Sequence, residues 1–328
     1  PVVNVNSTGK TTISARKLSD LCRLIPDGEN INIAMNREKI SIKTTKGKYS
    51  LSTLPSEDFP VFHSEEETAF LSIPSTDLKH LLASTSFAID LGGWKDWLMG
   101  LYLSADDGQL TAVGSDAIRL ATAKKTIDKN YSFSGVVPKK SINEISRFLS
   151  DEKGNVDFEI NDSSVLLSTE NLIFKSKLIS GGKNLEYFRR VIPSGDCSIL
   201  ECNTKELLEI LNRLSVFANA NLYSEVHLHA SKEGLKFIAN NKLSEGAEEN
   251  AHTSLNGDDF KVVINGTVLR GVLPHIKTDN CHIHYFGPDK VILVSPPDTD
   301  EQQYVIQPVI PVKAVEEIED HPASSQSD

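Results

Sequence analysis

The stretch "VVPKKSINEISRFL", residues 136–149, opens with a proline and two lysines and then runs on as a short amphipathic helix. Ile142, Ile145, Phe148 and Leu149 recur at three- and four-residue spacing and make one apolar stripe. Lys139, Lys140 and Arg147 lie off that stripe. The unit is not unique. "KLSDLCRLI" (17–25) lies over "KSINEISRFL" (140–149) with one residue inserted after the lysine, so Lys17 matches Lys140, Leu21 matches Ile145 and Arg23 matches Arg147. After the first helix come "INIAMN", "KISIKT" and "KYSLSTL"; after the second come "VDFEIN", "SVLLST" and "LIFKSKLI". Each is a short alternating run bounded by Gly, Asn, Asp or Lys, the pattern of antiparallel strands in a meander. A third copy reads "NGTVLRGVLPHI", "CHIHYF", "KVILVS", "YVIQPVI".

A different half-unit lies between these copies and occurs twice. "FLSIPSTDLKHLLASTSFAI", followed by "GLYLSAD", "QLTAVGSD" and "RLATAKK", parallels "CSILECNTKELLEILNRLSVFA", followed by "EVHLHAS", "GLKFIANN" and "EGAEENA". Each begins with a strand and a helix, with Ser75 and Asn203 as the expected N-caps. With the halves named A and B, the chain reads B-A-B-A-B. Repetition of this kind implies α+β domains, each with two helices on a sheet face. It also leads us to expect a first A half preceding residue 1, so that the sequence starts in mid-domain.

Composition bounds the function less sharply. The 328 residues carry a formal net charge of −11, with 39% hydrophobic and 24% charged residues, which is ordinary for a soluble globular chain. No apolar run approaches the roughly 20 residues that span a bilayer, and "PVVNVNSTGKTT" has neither the basic start nor the apolar core of a signal peptide. The four cysteines, Cys22, Cys197, Cys202 and Cys281, form no C-x-x-C pair and are expected to be reduced thiols of a cytoplasmic protein. The negative charge argues weakly against nucleic-acid binding but does not say where the positive charges sit.

Five collinear stretches then carry a resemblance. "TLPSEDFPVF" (53–62), "VGSDAIRLA" (113–121), "VVPKK" (136–140), "FRRVIP" (188–193) and "FIANNKLSEGAEE" (237–249) resemble, in order and spacing, the bacterial sliding clamp, the beta subunit of DNA polymerase III. The likeness runs from residue 1 to about 311. It implies repeated DNA-clamp domains, each of two helices packed on antiparallel sheet, closing as a head-to-tail dimeric ring around double-stranded DNA without sequence preference. The implied domains are 1–68 (the second half of domain one), 69–196 and 197–311, followed by a disordered acidic tail, 312–328. The resemblance makes the chain a non-enzymatic processivity factor with no cofactor, no metal and no membrane contact. Its DNA-facing residues would be Arg16, Lys17, Arg23, Lys79, Lys95, Lys139, Lys140, Arg147, Lys205, Arg213 and Arg270. A sparse basic lining attracts phosphates without making a tight site, which is what sliding needs. The plain alternative is that lysines on amphipathic helices are solvated faces.

The resemblance also implies a cleft that takes a short motif of glutamine and hydrophobic residues from DNA polymerase, the clamp loader and repair proteins. It places Leu98, Ser115, Arg119, Leu120, Val191, Val305, Gln307 and Pro308 there, and it places Tyr49 and Leu51 against Val216 and Phe217 at the homodimer interface. The chain departs from the family pattern at Ala117-Ile118 (commonly Gly-His), at Glu186 (near a usual Pro), at Gln307 (often Met) and at Ile310-Pro311 (usually Arg-Leu at the end). The rival reading is a truncated or divergent clamp-like scaffold that binds partner peptides without closing a ring.

Three further signals point to nothing more specific. "NSTGKTT" (6–12) ends like a nucleotide-binding loop but has Asn4 where a glycine is required and does not open a helix, so it reads as a polar turn. His227-x-His229 and His282-x-His284 each put two imidazoles on one side of a strand, with no further ligands in view, and are expected to be exposed strand histidines. Trp94 and Trp97 could stack on a base or a partner, and the loop-anchor reading is preferred.

Overall fold

The computed structural model describes residues 4–36, 38–59, 69–128, 131–170, 172–181, 185–218, 224–241 and 245–309. The acidic tail expected at 312–328 lies outside the described residues. The chain divides into two compact units, residues 1–66 and 67–328.

In the first unit, β1 (Thr12–Ile13), α1 (Ala15–Leu24), β2 (Asn32–Asn36), β3 (Lys39–Lys43) and β4 (Lys48–Leu54) form one helix and one antiparallel sheet of order β1-β4-β3-β2. Ser14 caps α1 by accepting the Lys17 amide at 3.4 Å. Burial is thin. Among the described residues only Ile40 and Ile42 are buried, whereas Ile33 and Met35 on β2 are more than half exposed.

The second unit runs through the same order of elements twice. Its first half contains β5 (Ala69–Pro74), α2 (Ser75–Thr85), β6 (Gly100–Asp106), β7 (Gln109–Ser115), β8 (Arg119–Thr126), β9 (Phe133–Pro138), α3 (Lys139–Asp151), β10 (Asn155–Ile160), β11 (Ser164–Thr169), β12 (Leu172–Lys177) and the short α4 (Leu185–Arg189). Its second half contains β13 (Ser198–Asn203), α5 (Thr204–Leu214), β14 (Glu225–Ser231), β15 (Gly234–Asn240), β16 (Gly246–Ala251), the three-residue β17 (Ser254–Asn256), β18 (Phe260–Asn265), α6 (Gly266–Val272), β19 (Asn280–Tyr285), β20 (Ile292–Ser295) and β21 (Gln302–Ile306). The sheets are more elaborate than one per domain. Two are four-stranded, β12-β11-β10-β5 and β16-β15-β14-β18, and one is nine-stranded, β17-β13-β19-β20-β21-β8-β7-β6-β9. Each helix pair shares its core with two sheets. Leu78, Leu82, Ile142 and Leu149 from α2 and α3 meet Ile73, Phe158 and Leu167 from the first sheet and Leu101, Leu110 and Ala123 from the nine-stranded one.

Helix starts correct one expectation. Asn203 does cap α5, accepting the Glu206 amide at 3.0 Å, and Asn265 does the same for α6. Ser75 does not cap α2. Pro74 holds the cap position, and the buried Ser75 hydroxyl donates instead to the Glu152 carbonyl at 3.0 Å. A hydroxyl out of reach of water must find some partner, and here the partner is tertiary.

The two halves are joined through the nine-stranded sheet. β21 pairs antiparallel with β8 from Gln302↔Ala123 to Ile306↔Arg119. Around that seam the Gln302 amide donates to Ser84 Oγ at 2.9 Å and lies 2.6 Å from His80 Nε2. Lys124 pairs with Asp300 at 3.1 Å, and the Phe87 ring sits between Tyr304 and a stacked His275.

Candidate functional site

A cleft of about 200 Å³ opens on the outer face of the nine-stranded sheet. Its floor is apolar because alternation along the strands sends Leu120 and Val305, directly paired across β8 and β21, away from the helices. Leu98 enters from the loop before β6. That loop is shaped by Asp90, whose carboxylate accepts the Gly92 amide at 2.8 Å and the Trp94 amide at 3.1 Å. Aromatic rings build the wall: Trp97 meets Tyr187 and Phe188 of α4 edge-on at 5.5 and 6.0 Å, and Phe188 leans on Tyr102. Trp94, Ile118, Tyr187 and Val191 leave their apolar surface exposed around the cavity. Seven of the eight predicted cleft residues line it: Leu98, Ser115, Arg119, Leu120, Val191, Val305 and Gln307. Pro308 follows Gln307 but is not among the lining residues.

Several polar groups there are already engaged. Ser115 Oγ donates to the Arg119 carbonyl at 2.9 Å and accepts the Ala117 amide at 3.2 Å. Arg119 Nε lies 3.0 Å from Asp116, a charge contact without a straight hydrogen bond, and the guanidinium rests over Phe87, 5.2 Å from the ring centroid. Ala117 adopts φ +71°, a left-handed conformation normally left to glycine. The Gln307 side chain is exposed, while its backbone amide donates to the Ile118 carbonyl at 3.0 Å and ties the last strand to the rim.

The basic residues fall on α1, on the contacting pair α2 and α3, and on the contacting pair α5 and α6. On α3, Ile142, Ile145 and Leu149 are buried, while Lys140 and Arg147 are exposed. Lys79 and Lys205 are exposed, and Arg270 is half-exposed. On α1, Arg16, Lys17 and Arg23 are exposed. Several carry their own counter-charge: Arg147 with Glu144 at 2.5 Å, Lys205 with Glu209 at 4.0 Å, and Arg16 with Asp20 at 3.9 Å. Arg213 binds Glu249 through two nitrogens, a hydrogen-bonded pair that holds the Glu249 carboxyl below its usual range. Two placements differ from expectation. The half-buried Lys139 turns its ammonium onto the Ser86 carbonyl, and burial, with Arg119 nearby, lowers its pKa. Lys95 stands on the cleft rim, its ammonium 4.8 Å from the Trp94 ring centroid.

Comparison with known proteins decides the family. Family models of the DNA polymerase III beta subunit match residues 1–63 with the N-terminal domain, 72–183 with the central domain and 189–310 with the C-terminal domain. The beta sliding clamp of Pseudomonas aeruginosa is 30% identical over 303 residues, covering 92% of this chain and 82% of that protein. The chain belongs to the bacterial sliding-clamp family. The Escherichia coli K12 sliding clamp is 26% identical over 309 residues, covering 94% and 84%. The structure of the Pseudomonas aeruginosa DnaN sliding clamp bound to griselimycin superposes with TM-score 0.85 at 29% identity, covering 92% of this chain and 82% of that one. As a sliding clamp the chain is a non-catalytic processivity factor of DNA replication, and the ringless-scaffold reading is not favoured.

Other features of the clamp resolve the remaining signals. Trp97 is a loop anchor, whereas Trp94 is 67% exposed, so the two tryptophans part company. The strand histidines are half-buried, not exposed: His284 contacts Ser295 Oγ at 3.1 Å, and burial lowers its pKa. Among the described residues no group of His, Cys, Asp or Glu is arranged to hold a metal. A larger hollow of about 560 Å³ lies at the β14–β15 hairpin, but its rim mixes Glu233 and Asp259 with Lys236 and Lys261, and Lys236 is already paired with Glu248. It lacks the converging chemistry of the cleft. Sequence reading did not assign Tyr187, Phe188 or Val291 to the cleft. The one available signal was the aromatic pair just ahead of "RRVIP".

Proposed function

We propose that this clamp encircles duplex DNA as a head-to-tail ring of two copies in the cytoplasm, with clamp domains at 1–68, 69–196 and 197–311. It tethers DNA polymerase, the clamp loader and repair proteins by a short hydrophobic motif bound in the cleft. The observation that carries this reading is the cleft itself: a preformed apolar floor, an aromatic wall and a few polar groups that can orient a peptide. Burying one Leu or Phe anchor contributes about 1.5–3 kcal/mol. Two anchors plus hydrogen bonds to the exposed side-chain amide of Gln307 then support micromolar binding, about 8 kcal/mol in total. DNA is held by Lys17, Arg23, Lys79, Lys140 and Arg270, with Arg16, Arg147, Lys205 and Arg213 shared with internal carboxylates and Lys139 acting from its place at Ser86. Titration of a labelled Gln-Leu-x-Leu-Phe peptide tests the cleft. Binding is expected to vanish in Leu120→Asp and to tighten in Gln307→Met, and indifference to Leu120→Asp would show the site to be wrong.

The β21·β8 seam supports a subunit contact of the same kind. Repeat logic puts β4 where β21 stands and β16 where β8 stands. Carrying the β21·β8 register across sets Lys48 opposite Glu248 and Tyr49 opposite Ala247 of a second copy. Tyr49 then takes the place of Tyr304, and Val216, with Phe217 next to it, takes that of Phe87, which Tyr304 contacts at 6.0 Å. Backbone parity agrees. The Thr53 amide bonds the Glu38 carbonyl across to β3, so Lys48 and Ser50 direct their amides to the open side of β4.

A further inference from the structure

The cleft keeps apolar surface open to solvent, and the chain carries a segment that suits it. The C-terminal family model stops at residue 310, so residues 312–328 are an addition to the clamp pattern. They lie outside the described residues. We propose that residues 312–320 are an internal ligand of the cleft, a tethered competitor that partner peptides must displace. The proposal rests on the reading of the cleft as the partner-peptide site.

Three observations carry it. The first is attachment. Gln307 lines the cleft, and Val309, two residues on, donates its amide to the Val263 carbonyl of β18 at 2.8 Å. The added segment therefore starts beside the cleft. Pro308 and Pro311 offer no backbone donor, so the sequence does not favour an extension of β21 as a paired strand. As a free chain, the stretch from Val309 to Val315 spans about 13 Å on average. A tether this short holds its far end at millimolar effective concentration.

The second is the apolar match. Trp94, Ile118, Tyr187 and Val191 are exposed around a buried floor of Leu120 and Val305. Apolar surface gathered at one mouth calls for a covering ligand. In the added segment Val312, Val315 and Ile318 recur every three residues, a spacing that sets them on one side of a helical turn. They are smaller than the Leu and Phe anchors of a partner motif and bury less area. A competitor of that kind covers the mouth and yields to a better ligand. The third is charge. Lys95 rests its ammonium 4.8 Å from the Trp94 ring centroid, and Arg189 is exposed on α4 between Phe188 and Arg190. Arg119 and Arg190 already meet Asp116 and Glu186, whereas among the described residues no carboxylate is in ion-pair contact with Lys95 or Arg189. Asp96 is the acidic neighbour of Lys95 in sequence. The added segment sets Glu316, Glu317, Glu319 and Asp320 around its apolar residues, against Lys313 alone. Acid beside an apolar stripe thus meets base beside an apolar mouth.

The test compares the whole chain with a shortened one that stops after Pro311. Trp94 and Trp97 are the two tryptophans of the sequence and both line the cleft, so intrinsic fluorescence reads this site. Emission of the whole chain is expected to lie to the blue of the shortened one at every protein concentration. Identical spectra would overturn the proposal. So would a blue shift lost on dilution, which would give the cleft to the segment of another copy. Titration of the labelled Gln-Leu-x-Leu-Phe peptide is the second readout. A tethered segment of millimolar or tenfold better affinity fills about half to nine-tenths of the clefts, so shortening is expected to tighten partner binding about two- to tenfold. Val315→Asp with Ile318→Asp in the whole chain is expected to give the same gain. Weaker binding by that variant would mean that the segment acts by charge repulsion, and would overturn apolar docking. Equal affinity of whole and shortened chains would overturn the internal ligand and leave the cleft reading in place. No binding to either, with the fluorescence shift present, would reject the partner-peptide reading and leave the segment in the cleft.

Discussion

Single residues decide how well the cleft is supported. Ala117 holds a left-handed backbone at φ +71° to let Asp116 Oδ1 accept the Ile118 and Arg119 amides. An L side chain there costs about 1–2 kcal/mol relative to a conformation that glycine enters freely. Ala117→Gly is therefore expected to raise the thermal midpoint by a few degrees, net of the added chain entropy, without weakening peptide binding; calorimetry would show it, and a lower midpoint would mean that the turn is not strained. The core thiols give a pH dependence. Burial pushes Cys281 up to about 11 and Cys202 well above the usual range, and burial raises the Tyr304 phenol as well. A raised pKa means that the folded state keeps protons which the unfolded chain gives up. That contribution is complete below pH 9 and is lost as pH rises towards 11, by about 2–3 kcal/mol for Cys281. Denaturant midpoints should fall across this window, and Cys281→Ala should flatten the slope. Residue roles were the least legible part of the sequence. Ser75 looked like a cap and Lys139 like a free cation, because residue type shows what a side chain can bond but not which distant carbonyl lies within reach. Glu152 and Ser86 are those carbonyls here.

Elements were far more legible than residues. The stripe of Ile142, Ile145 and Leu149 announced α3, and alternation in "VDFEIN" and "SVLLST" announced β10 and β11, because burial of one face imposes a period on the chain. What alternation cannot show is which strand lies beside which. The pairing of Val305 with Leu120 spans most of the second unit, and nothing local marks it. Position on an element also sorts the basic residues. Lys140→Glu with Arg147→Glu should abolish retention on circular DNA at little cost to folding, since both side chains are exposed. Lys139→Glu should lower stability as well, because it leaves the Ser86 carbonyl without its ammonium. Retention of the parent should weaken with salt, by about one unit of log–log slope per phosphate neutralised. A double variant retained like the parent would remove α3 from the DNA-facing set.

For the whole molecule the repeat is the organising fact: β16 ends its sheet, the two-residue β1 covers β4 only at Thr53 and Leu54, and the proposed ring pairs the rest of β4 with β16 of another copy. Leu51→Lys and Phe217→Ala are accordingly expected to shift sedimentation towards monomer, and a parent already monomeric at high micromolar concentration would count against the ring. The seam inside the second unit has a mechanical side. Any bend between β21 and β8 has to shear five register pairs together, along with the Gln302 and Lys124 contacts that brace them. The two halves of that unit should therefore swing as a single stiff lever, with little compliance of their own. If a closed ring has to admit a thread of DNA, the joint that yields will lie away from this braced seam, and the force needed to part it will set how readily the clamp can be put on and taken off.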